Sequence, residues 1–124
     1  MSKLKQSKCI TSSQSAGYNR AKKQEKELSV RMQGTLVPGS GSSTQKGDVK
    51  GCFGGLVRIE AKTTGAKSFA ITRDMVRKIE DAALPNNELP AIVVEFIDEN
   101  GKPQMEVAVV PTWALQHIGE KDGT

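Results

Sequence analysis

KGDVKGCFGGLVRIEAK, residues 46–62, is the stretch that decides the fold of this chain. Its second half alternates apolar and polar side chains, which is typical of a β-strand with two different faces. The apolar set is Val57, Ile59 and Ala61, and the polar set is Arg58, Glu60 and Lys62. The glycines between 51 and 55 favour a turn, so residues 46–49 are predicted to form a second strand, antiparallel to residues 56–62.

Helices and further strands are predicted on both sides of this stretch. Residues 18–33 favour a helix that Gly34 ends, and residues 35–37 a short extended piece. After residue 62, Thr72 is a good N-cap for a helix that stops before Pro85. Residues 91–97 are apolar on both faces, the Asn-Gly pair in 98–101 predicts a hairpin, and residues 105–110 form its return strand before a last short helix at 111–117. The order indicates a mixed α/β fold, with a small central mixed β-sheet flanked by helices.

Length and composition set the frame for this fold. With 124 residues, the chain suits one domain, predicted as 18–124, preceded by a flexible basic arm at 1–17. No apolar run is long enough to span a membrane, and the first residues are too polar for a secretory signal, so we expect a soluble, cytoplasmic protein. Cys9 and Cys52 form no CxxC pair and are expected to be free thiols.

The charge distribution points to a polyanionic partner. The chain carries a formal net charge of +4, which permits a nucleic-acid partner without requiring one. Basic residues crowd the N-terminal segment, where they are opposed only by Glu25 and Glu27. That segment is expected to bind polyanions, and a solvated helix face is the alternative. Two of its lysines, Lys22 and Lys23, are candidate contacts to DNA phosphates.

The strongest chemical pattern is a pair of acids and a lysine on the two predicted strands. Period two places Glu60 and Lys62 on the same face, and antiparallel pairing would bring Asp48 beside them. Two carboxylates suit magnesium, whose chemistry serves phosphodiester hydrolysis, and a lysine can assist the attacking water. The alternative is that Arg58, Glu60 and Lys62 form only a solvated strand face and that Asp48 is a turn residue.

A third acid is predicted on the first helix. Glu25 lies on the stripe formed by Ala21, Leu28 and Met32, where an uncompensated carboxylate would be costly unless a cation met it. Glu27 shares a face with Arg31 and is expected to form a surface ion pair. Glu25 is therefore preferred over Glu27 as the helix acid of the site.

These residues together resemble the PD-(D/E)xK nuclease superfamily, and within it the archaeal-type Holliday junction resolvases and small phage nucleases. The resemblance rests on Glu25, the VPGSGS segment at 37–42, the KGD segment at 46–48 and the IEAKTT segment at 59–64, and it covers most of the chain after residue 18. The proline that names the motif is replaced by Gly47. The resemblance implies a restriction-endonuclease-like fold.

The resemblance also implies roles for individual residues. Asp48, Glu60 and the backbone carbonyl of Ala61 would bind Mg²⁺, with Mn²⁺ able to substitute, Lys62 would assist the water, and Glu25 would complete the site. The loop at 40–43, here called the serine loop, would approach the DNA backbone near the scissile phosphate. Thr63 and Lys67 would contact phosphate or only shape the loop that follows residue 62. The loop residues expected at the DNA are Ser40, Ser42, Ser43 and Lys46.

The function implied is a metal-dependent endodeoxyribonuclease that resolves four-way DNA junctions, acting in DNA recombination or repair. Two matched cuts would require a homodimer, for which the C-terminal hairpin and helix offer candidate contacts. The alternatives are a related nuclease for nicked, single-stranded or flap DNA, and a catalytically inactive DNA-binding scaffold of the same fold. Trp113 and Phe96 are expected in the core rather than as base-stacking platforms, and His117 at the end of a helix.

Overall fold

A computed structural model describes residues 20–37 and 48–122 of the chain. The predicted order of elements is confirmed there, with two short helical turns added, one between the second and third strands and one before the fourth strand. The elements are α1 (20–31), β1 (Thr35–Leu36), β2 (Asp48–Gly51), α2 (Cys52–Gly55), β3 (Val57–Thr64), α3 (Arg73–Ala83), a 3-10 helix (Leu84–Asn86), β4 (Leu89–Ile97), β5 (Pro103–Val109) and α4 (Thr112–Asp122). The predicted arm at 1–17 and the serine loop lie outside the described residues.

The five strands form one mixed sheet in the order β1-β2-β3-β4-β5. Strands β3 and β4 pair in parallel, and the other neighbours pair antiparallel. A parallel pair needs a crossover connection, which α3 provides between β3 and β4. The predicted mixed α/β fold with a helix-flanked central sheet is therefore confirmed.

Apolar side chains cover both faces of the sheet. On one face, Leu28 of α1 and Ala114 of α4 pack with the apolar side of β3 and β4. On the other face, Ile79 of α3 packs with Ile92 and Val94 of β4. The prediction that 91–97 is buried on both faces is confirmed for 91–95, because helices lie on each side. We call the face of the sheet that packs on α1 and α4 the α1/α4 face, and the other the α3 face.

Within the described part of the chain, no helix has the length and apolarity needed to cross a membrane.

Helix α3 follows its sequence signals closely. The Thr72 side chain accepts a hydrogen bond from the Met75 amide at 3.2 Å, which is the predicted N-cap. The helix ends at Ala83, and Pro85 lies in the 3-10 helix that follows. The apolar residues of the helix face the sheet, with Ile79 and Ala83 fully buried.

The C-terminal hairpin is confirmed, although its turn differs from a two-residue Asn-Gly turn. The Gly101 amide donates to the Asp98 carbonyl at 3.0 Å, and Gly101 has a φ of 83°, whereas Asn100 has no positive φ. This is a turn followed by a left-handed glycine, a common longer hairpin connection. The Asp98 carboxylate also accepts from the amides of Asn100 and Lys102. Helix α4 runs to Asp122, five residues past the predicted end, so His117 lies within it.

The end of α1 corrects the role expected of Gly34. Gln33 takes the left-handed conformation, with a φ of 57°, and the Gly34 amide donates to the Ser29 carbonyl at 2.8 Å. This pattern closes a helix one residue before the glycine. A Cβ on Gly34 would lie 2.8 Å from the Lys50 carbonyl oxygen and 2.9 Å from a Val49 methyl. The glycine is required because α1 ends in close contact with β2.

Substitutions at these two neighbouring positions should act in opposite directions. We expect Gly34→Ala to lower the free energy of unfolding by about 1–3 kcal/mol, because an added methyl is forced into a packed site. Gln33→Gly should raise the free energy of unfolding by up to about 1 kcal/mol. Glycine removes the penalty of the left-handed conformation at residue 33, and its greater backbone entropy in the unfolded chain offsets part of that gain. Urea unfolding of both variants measures this, and two changes of the same sign would contradict it.

Candidate active site

Strands β2 and β3 bring two of the predicted site residues to one position in the sheet. Their antiparallel register places Asp48 opposite Glu60, and Val49 opposite Ile59. Opposite positions in an antiparallel pair share a face of the sheet and are close neighbours. The predicted pairing across the glycine turn is thus confirmed at the backbone.

Glu60 and Lys62 are joined by an ion pair on the α3 face. The Lys62 Nζ atom lies 3.0 Å from Glu60 Oε2. Glu60 is 6% exposed, and Lys62 is partly exposed. A carboxylate at this depth needs a compensating positive charge, and the ammonium two residues along the strand provides one. The ion pair holds the Lys62 ammonium group beside the buried Glu60 carboxylate.

The alternative of a solvated strand face is wrong for Arg58 and Glu60, which are both buried. The Arg58 Nε donates to Glu88 Oε1 at 2.8 Å. The other oxygen of Glu88 accepts from the Gly51 amide at 2.6 Å. Glu88 is itself buried and precedes β4, so one carboxylate links the end of β2 with β3. Glu88 could not be predicted as part of this arrangement, because its partners Arg58 and Gly51 lie 30 and 37 residues away along the chain.

Helix α1 contacts the site strand through Gln24. Gln24 is 1% exposed, whereas Glu25 is half-buried. The Gln24 side chain donates to the Lys62 carbonyl at 3.0 Å and accepts from the Thr63 hydroxyl at 2.8 Å. The predicted stripe of Ala21, Glu25, Leu28 and Met32 is the inward face of α1, and Gln24 lies on it as well. The spacing of four between Gln24 and Leu28 is compatible with this, but a glutamine gives no sequence signal of burial.

A second buried ion pair holds the beginning of the described helix. The Arg20 guanidinium donates to both carboxylate oxygens of Glu95, at 2.7 and 2.6 Å, and Glu95 is buried in β4. These hydrogen bonds raise the pKa of Arg20. Arg20 also pairs with Glu27, which is about half exposed. The expected surface ion pair of Glu27 is present, and its partner is Arg20 rather than Arg31.

The Arg20 pair should give Glu27 a measurable pH dependence. The hydrogen bond from Arg20 lowers the pKa of Glu27 below its ordinary value of 4.5. A lowered pKa in the folded state contributes stability at neutral pH that is lost as the pH falls through that pKa. We expect Glu27→Gln to cost less than about 1 kcal/mol at pH 7, because the pair is exposed. The difference from the parent protein should shrink below pH 4.5, and a difference that grows in acid would contradict the assignment.

The remaining predicted contacts are distributed over different surfaces. Lys22, Lys23 and Lys67 are exposed, and Ala61 is buried within β3. Thr63 is half-buried, with its hydroxyl donating to Gln24. The four loop residues expected at the DNA lie outside the described part of the chain: Ser40, Ser42, Ser43 and Lys46.

Two other expectations concern the aromatic residues and the cysteines. Trp113 is not in the core: it is 39% exposed, and its indole Nε1 donates to Glu80 at 2.9 Å. Phe96 is half-buried against the α3 cluster. Cys52 is a buried free thiol, as expected, and burial together with the nearby charge of Glu88 raises its pKa to about 11. Cys9 lies outside the described residues.

The donor chemistry of the expected ligands fits a hard cation. Asp48, Glu60 and the Ala61 carbonyl would offer only oxygen atoms, and magnesium is commonly held by one or two carboxylates together with water and phosphate oxygens. In residues 20–37 and 48–122, no three His, Cys, Asp or Glu side chains form a metal-holding group. A ligand set of two acids and one backbone oxygen does not require such a group.

Comparisons with models of protein families, with curated proteins and with solved structures gave no match to this chain. Function is therefore inferred from the geometry of β2 and β3 and from the sequence motifs that they carry.

Proposed function

We propose that this chain is a metal-dependent endodeoxyribonuclease of the PD-(D/E)xK type, with a restriction-endonuclease-like fold. One observation carries the proposal: Asp48 lies opposite Glu60 in the sheet, and the Lys62 amine is 3.0 Å from the Glu60 carboxylate. Two acids and an amine are thereby gathered at neighbouring positions of two hydrogen-bonded strands. Glu60 is buried and ion-paired with Lys62, so its carboxylate is held at a fixed position beside the amine.

The residues would divide the chemistry between them. Asp48, Glu60 and the Ala61 carbonyl would hold Mg²⁺, which supplies an acidified water and neutralises charge on the phosphoryl oxygens. Lys62, held as an ammonium by its ion pair with Glu60, would donate hydrogen bonds that orient the attacking water and would stabilise the charge that develops on the phosphoryl oxygens. The resemblance would add Glu25 to this site, although α1 covers the opposite face of the sheet from Glu60 and Lys62.

The acids are tested by substitutions that remove charge but keep shape. We expect Asp48→Asn and Glu60→Gln each to reduce DNA cleavage by at least about a hundredfold, because each removes an anionic metal ligand. Glu25→Gln should reduce cleavage as well. Cleavage of labelled DNA in Mg²⁺ and binding by gel shift measure the two effects separately.

Two matched controls accompany these variants. Glu27→Gln removes the neighbouring helix acid, which is held in a surface ion pair, and Glu99→Gln removes an exposed acid in the C-terminal hairpin. Both should cleave at the parental rate. Cleavage that survives Asp48→Asn and Glu60→Gln would remove these residues from the mechanism. Binding without cleavage in the parent protein would favour the inactive DNA-binding scaffold.

We propose branched DNA, and a four-way junction in particular, as the substrate. The exposed lysines of α1 provide positive charge for the phosphate backbone. A homodimer would supply the two active sites that paired cuts need. Apolar residues exposed on the C-terminal hairpin and helix offer the contact surface, namely Met105, Val107, Trp113 and Leu115.

Substrate choice distinguishes the two nuclease alternatives. We expect symmetric paired nicks on a four-way junction, and little cutting of matched linear duplex, because two-fold symmetry of the protein would match that of the junction. Parallel digests of junction, duplex, nicked and flap DNA, resolved on sequencing gels, make the comparison. Faster cutting of flap, nicked or single-stranded DNA would favour a repair nuclease that does not resolve junctions.

A further inference from the structure

We infer that Glu88 is a positioning residue of the candidate site, holding β2 on β3 so that Asp48 and Glu60 keep their relative placement. The inference deepens the proposed function and rests on it. Glu88 would not touch the metal or the DNA. It would act through the backbone of β2 and through Arg58.

The contacts of Glu88 use both oxygens of a buried carboxylate. One oxygen accepts from the backbone amide of Gly51, the last residue of β2, at 2.6 Å. The other accepts from Nε of Arg58 in β3, at 2.8 Å. The side chains of Arg58 and Glu88 are 10% and 6% exposed, so solvent screens this pair little. Such charge-assisted hydrogen bonds are among the stronger directional contacts in proteins.

The two contacts lie close to the candidate ligands along each strand. Gly51 ends the four-residue strand that begins with Asp48, and Arg58 is two residues before Glu60. Gly51 has a φ of 67°, so the chain leaves β2 there in a left-handed conformation. The Glu88 carboxylate thus fixes the point at which β2 turns toward β3. A shift at Gly51 would be transmitted over three residues to Asp48.

Backbone hydrogen bonds also hold the segment that carries Glu88. Its own amide donates to the Ala83 carbonyl at 3.0 Å, at the end of α3. The next residue, Leu89, donates its amide to the Leu56 carbonyl at 2.7 Å. The carboxylate therefore belongs to a segment held by α3 and by the residue just before β3. A rigidly held group beyond the ligands is the type of partner that orients metal-binding side chains in proteins.

The second buried pair of the molecule, Arg20 with Glu95, provides a matched control. It has the same chemistry and is similarly buried. It ties α1 to β4, and β4 is not adjacent to β2 in the sheet. Disturbing it should affect stability without changing the placement of Asp48 against Glu60.

The experiment compares double variants that remove the whole charged pair, since a lone buried charge would disrupt the fold. Arg58→Met with Glu88→Gln keeps an acceptor for the Gly51 amide, and Arg58→Met with Glu88→Leu removes it. The control set is Arg20→Met with Glu95→Gln or with Glu95→Leu. Binding of Mn²⁺ is followed by the loss of the free-ion signal in electron paramagnetic resonance, at a temperature where circular dichroism shows each variant folded.

The Glu88→Leu double variant should bind Mn²⁺ at least about tenfold more weakly than the Glu88→Gln double variant, the usual effect of losing an outer partner of a metal site. The two Glu95 double variants should agree within about twofold. If the Leu variant does not fold, Glu88→Asp alone keeps the charge but shortens the reach to Gly51, and should show the same weakening. The half-saturating Mg²⁺ concentration for cleavage should shift in parallel.

The outcomes separate this inference from the proposed function. A parent protein that binds Mn²⁺ and cleaves DNA, with equal Mn²⁺ affinity in the Gln and Leu variants at residue 88, overturns the role of Glu88 alone. Equal losses in the variants at residues 88 and 95 would do the same, because they would show a general effect of stability. A parent protein that neither binds Mn²⁺ nor cleaves DNA overturns both proposals.

Discussion

The antiparallel register between β2 and β3 is the constraint on which the candidate site depends. Because side chains alternate along a strand, a slip of one residue would place Asp48 opposite Ile59 or Ala61 and move β2's side chains to the other face. Val49, which is fully buried in the cluster with Leu28, would then leave the core. Core packing and the placement of the acids are thus fixed by the same register.

Two buried polar contacts connect the surrounding elements to this strand pair, and a third ties α1 to β4. Glu88 binds Arg58 and the Gly51 amide, Gln24 binds the backbone of β3, and Arg20 binds Glu95 in β4. Buried ion pairs add little net stability, but losing one partner is costly because a charge is left without compensation. Such contacts therefore select one arrangement of elements among the many that apolar packing alone would accept.

The parts of this fold that the sequence predicts are those encoded by local periodicity. The alternation at 57–62, the Thr72 cap and the apolar run at 91–97 each depend on residues close together in the chain, and all three elements are present. The pairing of Asp48 with Glu60 was also predictable, because a short glycine turn joins the two strands. Of the residues that carry the resemblance, the structure pairs Asp48 with Glu60 at the backbone and joins Glu60 to Lys62 through their side chains.

The contacts that could not be predicted from the sequence join residues far apart in the chain. Nothing near Arg58 indicates that Glu88 would bury it, and nothing near Glu95 indicates a pairing with Arg20, which lies 75 residues away. The burial of Gln24 on α1 has the same origin, since it depends on the partners that Lys62 and Thr63 of β3 offer its side chain. At Gly34, the sequence indicates a helix end. The glycine is required for another reason, because β2 packs too closely against this residue to leave room for a side chain.

The connections around β3 also imply an order of assembly. Asp48 and Glu60 are 12 residues apart, whereas Glu60 and its partner Ile92 in β4 are 32 apart, and Glu88 must reach across 37 residues to Gly51. Closing a longer loop costs more chain entropy, so the β2–β3 hairpin is favoured to form before α3 docks and β4 joins. Asp48 and Glu60 would then become neighbours early in folding, in a two-stranded hairpin that can still twist. Glu88 would bind Gly51 and Arg58 later and would fix the placement of the two acids.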